Sequence, residues 1–237
     1  MLRPYDDGPV VTAIALKTRI TCMAHETEIK LRVADPKKLR ARLKALGART
    51  VGGGAGRVHE SNVLYDTAEE DLRRRGQLLR IRTETRGSAS SRRKNQRVLV
   101  TFKKPIEGDE SWREEEGPQR RHKVREEIEA EVSDGAAQAR IFEGLGMRGG
   151  FRYEKYRTTY QLPKWQRWAN RLLIEMDETP IGVFVELEGP AKAIDRAAKL
   201  LGYEERDYIV ANYHSLYLAE CRRKGEKPGH MVFQPRK

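Results

Sequence analysis

The 237-residue chain has no run approaching the ~18 apolar residues of a membrane span, so an integral helical membrane protein is not expected. Cysteine is scarce. Cys22 and Cys221 form no CxxC pair and are too few for a disulfide scaffold or a zinc ribbon; two reduced thiols in a cytoplasmic protein are the expectation. The short apolar stretch at 10–16 comes after two aspartates and lacks a small-residue cleavage site, which makes it a poor signal peptide. There is no GxxxxGK[ST], so a P-loop nucleotidase has no support, and the glycines at 52–54 and 56 precede no helix that could receive a phosphate. The five histidines make no HExxH or other close metal pair, which argues against zinc hydrolysis. GxSxG and Cys/His nucleophile patterns are missing as well.

What is abundant is charge, with 47 basic and 35 acidic side chains and a net of +12. Three windows hold the excess. Residues 35–49 carry six basic groups against one acid, 86–97 carry five against none, and 221–237 carry six against one. Those windows outweigh the net charge, so the rest of the chain is slightly acidic. The basicity therefore belongs to a helix, a loop and a tail, and the chemistry is sought elsewhere.

A unit of strand, cap or proline, three-turn helix and Leu-Gly stop recurs at 34–47, 133–146 and 189–202. Leu39, Leu43 and Leu46 share one helix face, as do Ile194, Ala197, Ala198 and Leu201. A fourth helix is expected from Asp207 towards Cys221. Between helices the period falls to two, giving strands near 25–33, 60–66, 78–84, 98–103, 124–132, 151–160, 171–177 and 183–188. Strands and helices interleave with short links, so one α+β domain over 25–220 is expected, with 1–24 and 221–237 as extensions.

The strand alternation is unusually charged. Glu26, Glu28 and Lys30 share a face in the first strand, Arg80 and Arg82 in the third, and Thr101 and Lys103 in the fourth. Arg125, Glu127 and Glu129 share one in the fifth, Lys155 and Arg157 with Tyr153 in the sixth, Glu175 and Asp177 in the seventh, and Glu186 and Glu188 in the last. Any one strand reads as the wet face of an antiparallel sheet. Taken together, with amphipathic helices available to cover the apolar face, they suggest a sheet closed with its charged side inward. Such a lumen is costly unless its contents compensate it. A polyphosphate with a divalent metal does so, since carboxylates hold the hard cation and guanidinium and ammonium groups hold phosphoryl oxygens.

Glu26-Thr27-Glu28-Ile29-Lys30 resembles the Glu-x-Glu-x-Lys signature of the CYTH, or triphosphate tunnel metalloenzyme, superfamily, which includes class IV adenylyl cyclases and thiamine triphosphatases. Further motifs occur in an order similar to that family's: Tyr65-Asp66-Thr67, Arg80-Ile81-Arg82, Thr101-Phe102-Lys103, Arg125 to Glu129, Lys155-Tyr156-Arg157, Asp177 and Glu186-Leu187-Glu188. The resemblance covers about residues 25–220 and implies an eight-stranded antiparallel β-barrel with helices packed on its outside.

It also implies roles. Glu26, Glu28, Glu186 and Glu188, with Asp177, would bind Mg2+ or Mn2+. Arg80, Arg82, Lys103, Arg125, Lys155 and Arg157 would hold phosphoryl oxygens. Lys30 would sit beside the metal-bound phosphate as a catalytic group with Glu28 and Arg80. Glu127 and Glu129 would orient the arginines or bind a second metal. A metal-dependent triphosphatase acting on tripolyphosphate or an organic triphosphate such as thiamine triphosphate is favoured. An adenylyl cyclase making cyclic AMP and pyrophosphate is the alternative, and it also needs a base-reading pocket that no motif marks. A non-catalytic module for polyphosphate or nucleic acid is a third reading. Nucleic acid is the less favoured partner, kept open by the basic exterior, and a homodimer is compatible with the sequence.

Overall fold

The computed structural model describes residues 21–51, 56–87, 95–108 and 121–234. Its elements in chain order are β1 (Thr21–Val33), α1 (Pro36–Ala45), β2 (Arg49–Thr50), β3 (Arg57–Asp66), α2 (Asp71–Arg74), β4 (Leu78–Arg86) and β5 (Asn95–Lys104). Then come β6 (Lys123–Val132), α3 (Gly135–Gly144), β7 (Arg148–Gln161), β8 (Leu173–Thr179), β9 (Gly182–Glu188), α4 (Ala191–Leu200) and α5 (Tyr213–Lys224). Eight strands run in the order β7-β3-β4-β5-β6-β1-β9-β8, and β8 bonds back to β7, closing an antiparallel barrel; β2 adds to β7 from outside.

The period-two pattern decides which side faces in. Ile29 and Leu31 of β1, Ile174 and Met176 of β8, and Val185 and Leu187 of β9 point outward. Leu39 and Leu43 of α1 and Ile194, Ala197 and Ala198 of α4 cover them. Each such Leu, Ile, Val or Met side chain contributes about 1.5–3 kcal/mol on full burial, and the alanines less. Phe142 of α3 covers Tyr65 and Ile81 in a smaller cluster on the opposite flank. The helices start where their caps dictate: Asp35 accepts from the Lys37 and Lys38 amides with Pro36 in the first turn, and Asp134 accepts from Ala136 and Ala137. Gly189 turns the chain off β9 directly after Glu188 at φ +146°. A Cβ there would lie 2.7 Å from the Arg171 carbonyl oxygen, so the position requires glycine.

The eight expected strands are present, most of them longer than expected. Strand β2 and helix α2 were not expected; two and four residues are too short to leave a period. The last helix begins at Tyr213, where Asn212 caps the Ser215 amide, not at Asp207. A 3-10 turn spans Glu205–Asp207, and the chain then runs extended so that Ile209 exchanges backbone hydrogen bonds with Lys30. The C-terminal segment was expected to lie outside the fold, yet it docks. Cys221 and Met231 are buried, and the Met231 backbone accepts from Glu154 and donates to Arg152 of β7. Counting charge across 221–237 concealed the apolar residues that anchor it. The expected extension over 1–20 and the connectors over 88–94 and 109–120 lie outside the described residues.

Candidate active site

The barrel encloses a cavity of about 1310 Å3. Strand register decides what meets inside it. Between β1 and β9, Glu28 faces Glu188 and Lys30 faces Glu186; between β1 and β6, Glu26 faces Arg125 and Glu28 faces Lys123. Lys103 of β5 faces Glu127, and Arg157 of β7 faces Asp177. Of the residues anticipated from sequence, Glu26, Glu28, Lys30, Arg80, Arg82, Lys103, Arg125, Glu127, Glu129, Lys155, Arg157, Glu186 and Glu188 all line this cavity. Asp177 is completely buried in the wall behind it.

The charges are tied into three groups. In the first, Glu28 Oε1 accepts from Lys30 Nζ at 3.1 Å and Lys123 Nζ at 2.9 Å, and Lys30 also lies 3.5 Å from Glu186. In the second, Arg157 donates twice to Asp177 at 2.7 and 2.8 Å and once to Glu186 at 2.6 Å, and it contacts Glu175 closely. Lys155 and the Tyr213 hydroxyl also donate to Asp177, at 2.8 and 2.7 Å. Glu60 stands behind Arg82, Lys155 and Arg157 at 3.4–3.6 Å. In the third, Lys103 bridges Glu26 and Glu127, while Arg80 donates to Tyr153 and to Thr101, whose hydroxyl donates on to Glu129. Glu129 therefore orients Arg80 through Thr101.

Burial alone would neutralise these groups, and their partners decide otherwise. Burial disfavours the Lys30 ammonium, but Glu186 and Glu28 hold it well above the usual lysine range. Lys103 is held up likewise by Glu26 and Glu127. Glu28 and Glu186 are kept ionised against burial by Lys123 and Lys30, and by Lys30, Lys155 and Arg157, respectively. Four groups of the lumen go the other way, among them Glu26, which burial with the charges of Glu28 and Glu127 raises despite Lys103. Burial, only partly offset by Glu28, pushes Lys123 down to about 8. Burial pushes Glu175 up to about 7, and burial with the charges of Glu26 and Glu175 pushes Glu188 up to about 8.

Those raised carboxyls bear on metal binding. Among the described residues, no three His, Cys, Asp or Glu side chains already converge on a metal position, because most carboxylates are turned onto cations. The donor chemistry at one end of the cavity nevertheless fits a hard divalent cation. Glu188 has no ion-pair partner among the described residues and sits in the field of Glu26, Glu175 and Glu127, a repulsion that a cation would relieve. Glu26 and the second oxygen of Glu28 lie on the facing strand. Asp177 and Glu186, by contrast, are engaged by Lys155, Arg157, Tyr213 and Lys30.

Sequence reasoning missed Lys123, Glu60, Asn62 and Tyr213. Lys123 precedes Arg125 by two and continues the same alternating row, so the signal was present. Glu60 and Asn62 alternate into the lumen from β3, and Asn62 accepts from Arg82 at 3.2 Å. Tyr213 arrives from a helix outside the barrel and leaves no trace in strand periodicity.

A closed antiparallel barrel, apolar outside beneath helices and lined with paired carboxylates and cations, defines a charged tunnel of α+β class. A family model for the CYTH domain matches residues 24–209, and the chain belongs to this family. A Methanocaldococcus jannaschii protein provisionally named an adenylate cyclase is 26% identical over 74% of this chain and 83% of its own length. Two solved structures share the fold. One, from Pyrococcus horikoshii, has a TM-score of 0.60 and 22% identity, covering 82% of this chain and 99% of that one. The other, from Vibrio parahaemolyticus and also provisionally named an adenylate cyclase, has a TM-score of 0.58 and 16% identity, covering 81% and 97%.

Proposed function

We propose that the protein is a divalent-metal-dependent triphosphatase acting inside the barrel. The observation that carries this reading is the layout of one cavity: Glu26 and Glu188 gather at one end, while Lys30, Arg80, Arg82, Lys103, Lys123, Arg125, Lys155 and Arg157 line the remaining length. A linear polyanion of three phosphates is the small-molecule chemistry that such a column of cations fits.

Glu26, Glu28 and Glu188 would hold Mg2+ or Mn2+, which when bound supplies Lewis-acid neutralisation of phosphoryl charge. The arginines and lysines fix the chain of phosphates so that water can approach the terminal phosphorus in line, breaking one P–O–P bond to give phosphate and a diphosphate. Lys30, kept protonated by Glu28 and Glu186, stabilises charge on the attacked phosphoryl group and does not act as the base.

The name carried by the M. jannaschii relative favours a second reading, adenylyl cyclase, in which the ribose 3′-hydroxyl attacks the α-phosphorus. Incubation with tripolyphosphate, thiamine triphosphate or ATP plus Mg2+ or Mn2+, followed by phosphorus NMR, separates the two. Phosphate release supports the triphosphatase; pyrophosphate with cyclic nucleotide overturns it. Glu26→Gln and Glu188→Gln should abolish turnover while preserving the circular dichroism spectrum, and near-normal rates in excess EDTA would remove the metal from the mechanism.

A further inference from the structure

The outer flank that covers β1, β8 and β9 carries charge of almost one sign. It is built from α1, the turn over residues 162–172 and α4, and three contacts join these into one surface. Gln166 donates to the Leu46 carbonyl at 2.8 Å, and Arg42 donates to the Leu201 carbonyl. The Arg196 guanidinium lies 4.5 Å from the centroid of the Trp168 ring. The one acid within residues 36–48, 162–172 and 190–201 is Asp195. It is already engaged, accepting from the Tyr208 hydroxyl at 3.1 Å and paired with His122 at 2.8 Å. Lys44, Lys164, Arg167 and Lys199, by contrast, are exposed and have no ion-pair partner among the described residues. None of the four lines the tunnel.

Apolar side chains stand out of the same surface. Trp165 is 77% exposed and Leu200 43% exposed, although Ala169, Leu172, Ala197 and Leu201 of the same segments are buried. Unpaired cations around an exposed indole and an exposed leucine fit a partner that is anionic at its surface and apolar just beneath it. Two polyanions compete for that description, a bilayer with acidic headgroups and a single-stranded nucleic acid. The residues favour the bilayer. A single strand is held by successive free ring faces, and Trp168 is half-buried with Arg196 over its ring, which leaves Trp165 alone. Leucine stacks on no base, whereas tryptophan and leucine both enter the boundary between headgroups and acyl chains. Three of the four unpaired cations are lysines, point charges suited to the diffuse field of a headgroup layer.

We propose that this flank docks the protein on an anionic lipid bilayer. Trp165 and Leu200 enter the headgroup boundary, and Lys44, Lys164, Arg167 and Lys199 meet lipid phosphates. The tunnel takes no part in the contact, so the inference is independent of the reaction performed there.

Sedimentation of the full chain with vesicles tests it, using phosphatidylcholine alone and phosphatidylcholine mixed with an equal part of phosphatidylglycerol. Wild type should pellet with the mixed vesicles only, and high salt should release it. Each cation near such a surface corresponds to roughly fivefold in partition. Combining Lys44→Gln, Lys164→Gln and Lys199→Gln should therefore weaken binding about a hundredfold. Trp165→Ala should weaken it about tenfold, the loss of one large apolar side chain from the boundary. Both variants should melt at the wild-type temperature, because these side chains lie outside the core. Wild type that ignores the mixed vesicles, or pellets equally with both kinds, overturns the proposal. A folded triple variant that binds as tightly as wild type overturns it too. Binding of a fluorescent oligothymidylate without binding of the mixed vesicles would assign the flank to nucleic acid and overturn the lipid assignment.

Discussion

Tyr213, on α5 outside the barrel, donates its hydroxyl to Asp177 Oδ2 at 2.7 Å, and that same oxygen accepts from Lys155 and Arg157 inside the wall. Burial and the Asp177 charge hold the Tyr213 phenol well above its usual range, so it stays protonated and donating. The helix that flanks one end of the tunnel is thus bonded, through Asp177, to the Lys155 and Arg157 side chains that line it.

Tyr213→Phe should cost about 1 kcal/mol of stability, the usual net value of one buried hydrogen bond. Asp177→Asn should cost more, about 3 kcal/mol, because it leaves Lys155 and Arg157 under-compensated in a buried site. Urea denaturation measures both, and equal costs would mean that Asp177 is not the anchor of the pair.

Stability should depend on pH and metal together. Glu175 and Glu188 have folded values of about 7 and about 8, above the ordinary 4.5 of a free glutamate. A raised carboxyl favours the folded state fully below its unfolded value, and that contribution is lost as pH rises through the folded value. The metal-free protein should therefore lose thermal stability from about pH 4.5 to about pH 8. Lys123, depressed to about 8, adds stability only above that range. Excess Mg2+ should flatten the decline and release protons near pH 7. A melting temperature independent of pH and of Mg2+ across this window would contradict the assignment of Glu188.

Glu60 behaves in the opposite sense. Burial opposes its charge, but Arg82, Lys155 and Arg157 bring the carboxyl down to about 2. Its contribution is present above about 4.5 and lost as pH falls towards 2. Glu60→Gln should destabilise the protein by about 2–3 kcal/mol at pH 7, since three buried cations lose a shared partner. The difference from wild type should shrink by more than half at pH 3; urea curves at both pH values decide this.

Lys30 tests the reaction type. With its ammonium held by Glu28 and Glu186, no limb of the kcat profile between pH 6 and 9 should belong to it. Lys30→Arg should keep partial turnover of tripolyphosphate, because charge survives while geometry changes; Lys30→Met should lose several orders of magnitude. A limb near neutral pH that disappears in the arginine variant would make Lys30 a base and refute the proposed mechanism.

Strand periodicity made much of this legible. A side chain two positions from Glu28 or Arg125 must share its face, so the row of lumen residues could be read from the residue order alone. The outward rows of Ile29 and Leu31, and of Val185 and Leu187, likewise predicted helical cover. Closure was legible only through the cost of charges on a face that helices left inward. Features that come from tertiary docking were not legible. Tyr213 reaches Asp177 from another element, and Met231 buries itself from within a basic segment. Nor could sequence reveal that Asp177 and Glu186 would be engaged by cations, because pairing across strands depends on register rather than on residue type.

The place of β1 in the barrel sets the order in which the protein can be built. Its two neighbours are β6 and β9, so the first described strand to leave the ribosome is among the last to be fully paired. Contacts that distant in sequence are slow to close, and the unpaired edge of β1 must be tolerated until translation has passed β9. Glu28 and Lys30 meet Glu188 and Glu186 only at that moment. An interrupted chain can form the Lys103 bridge to Glu26 and Glu127 but not the pairing of Lys30 with Glu186: the charged lumen is complete only when β9 joins β1 and the barrel shuts.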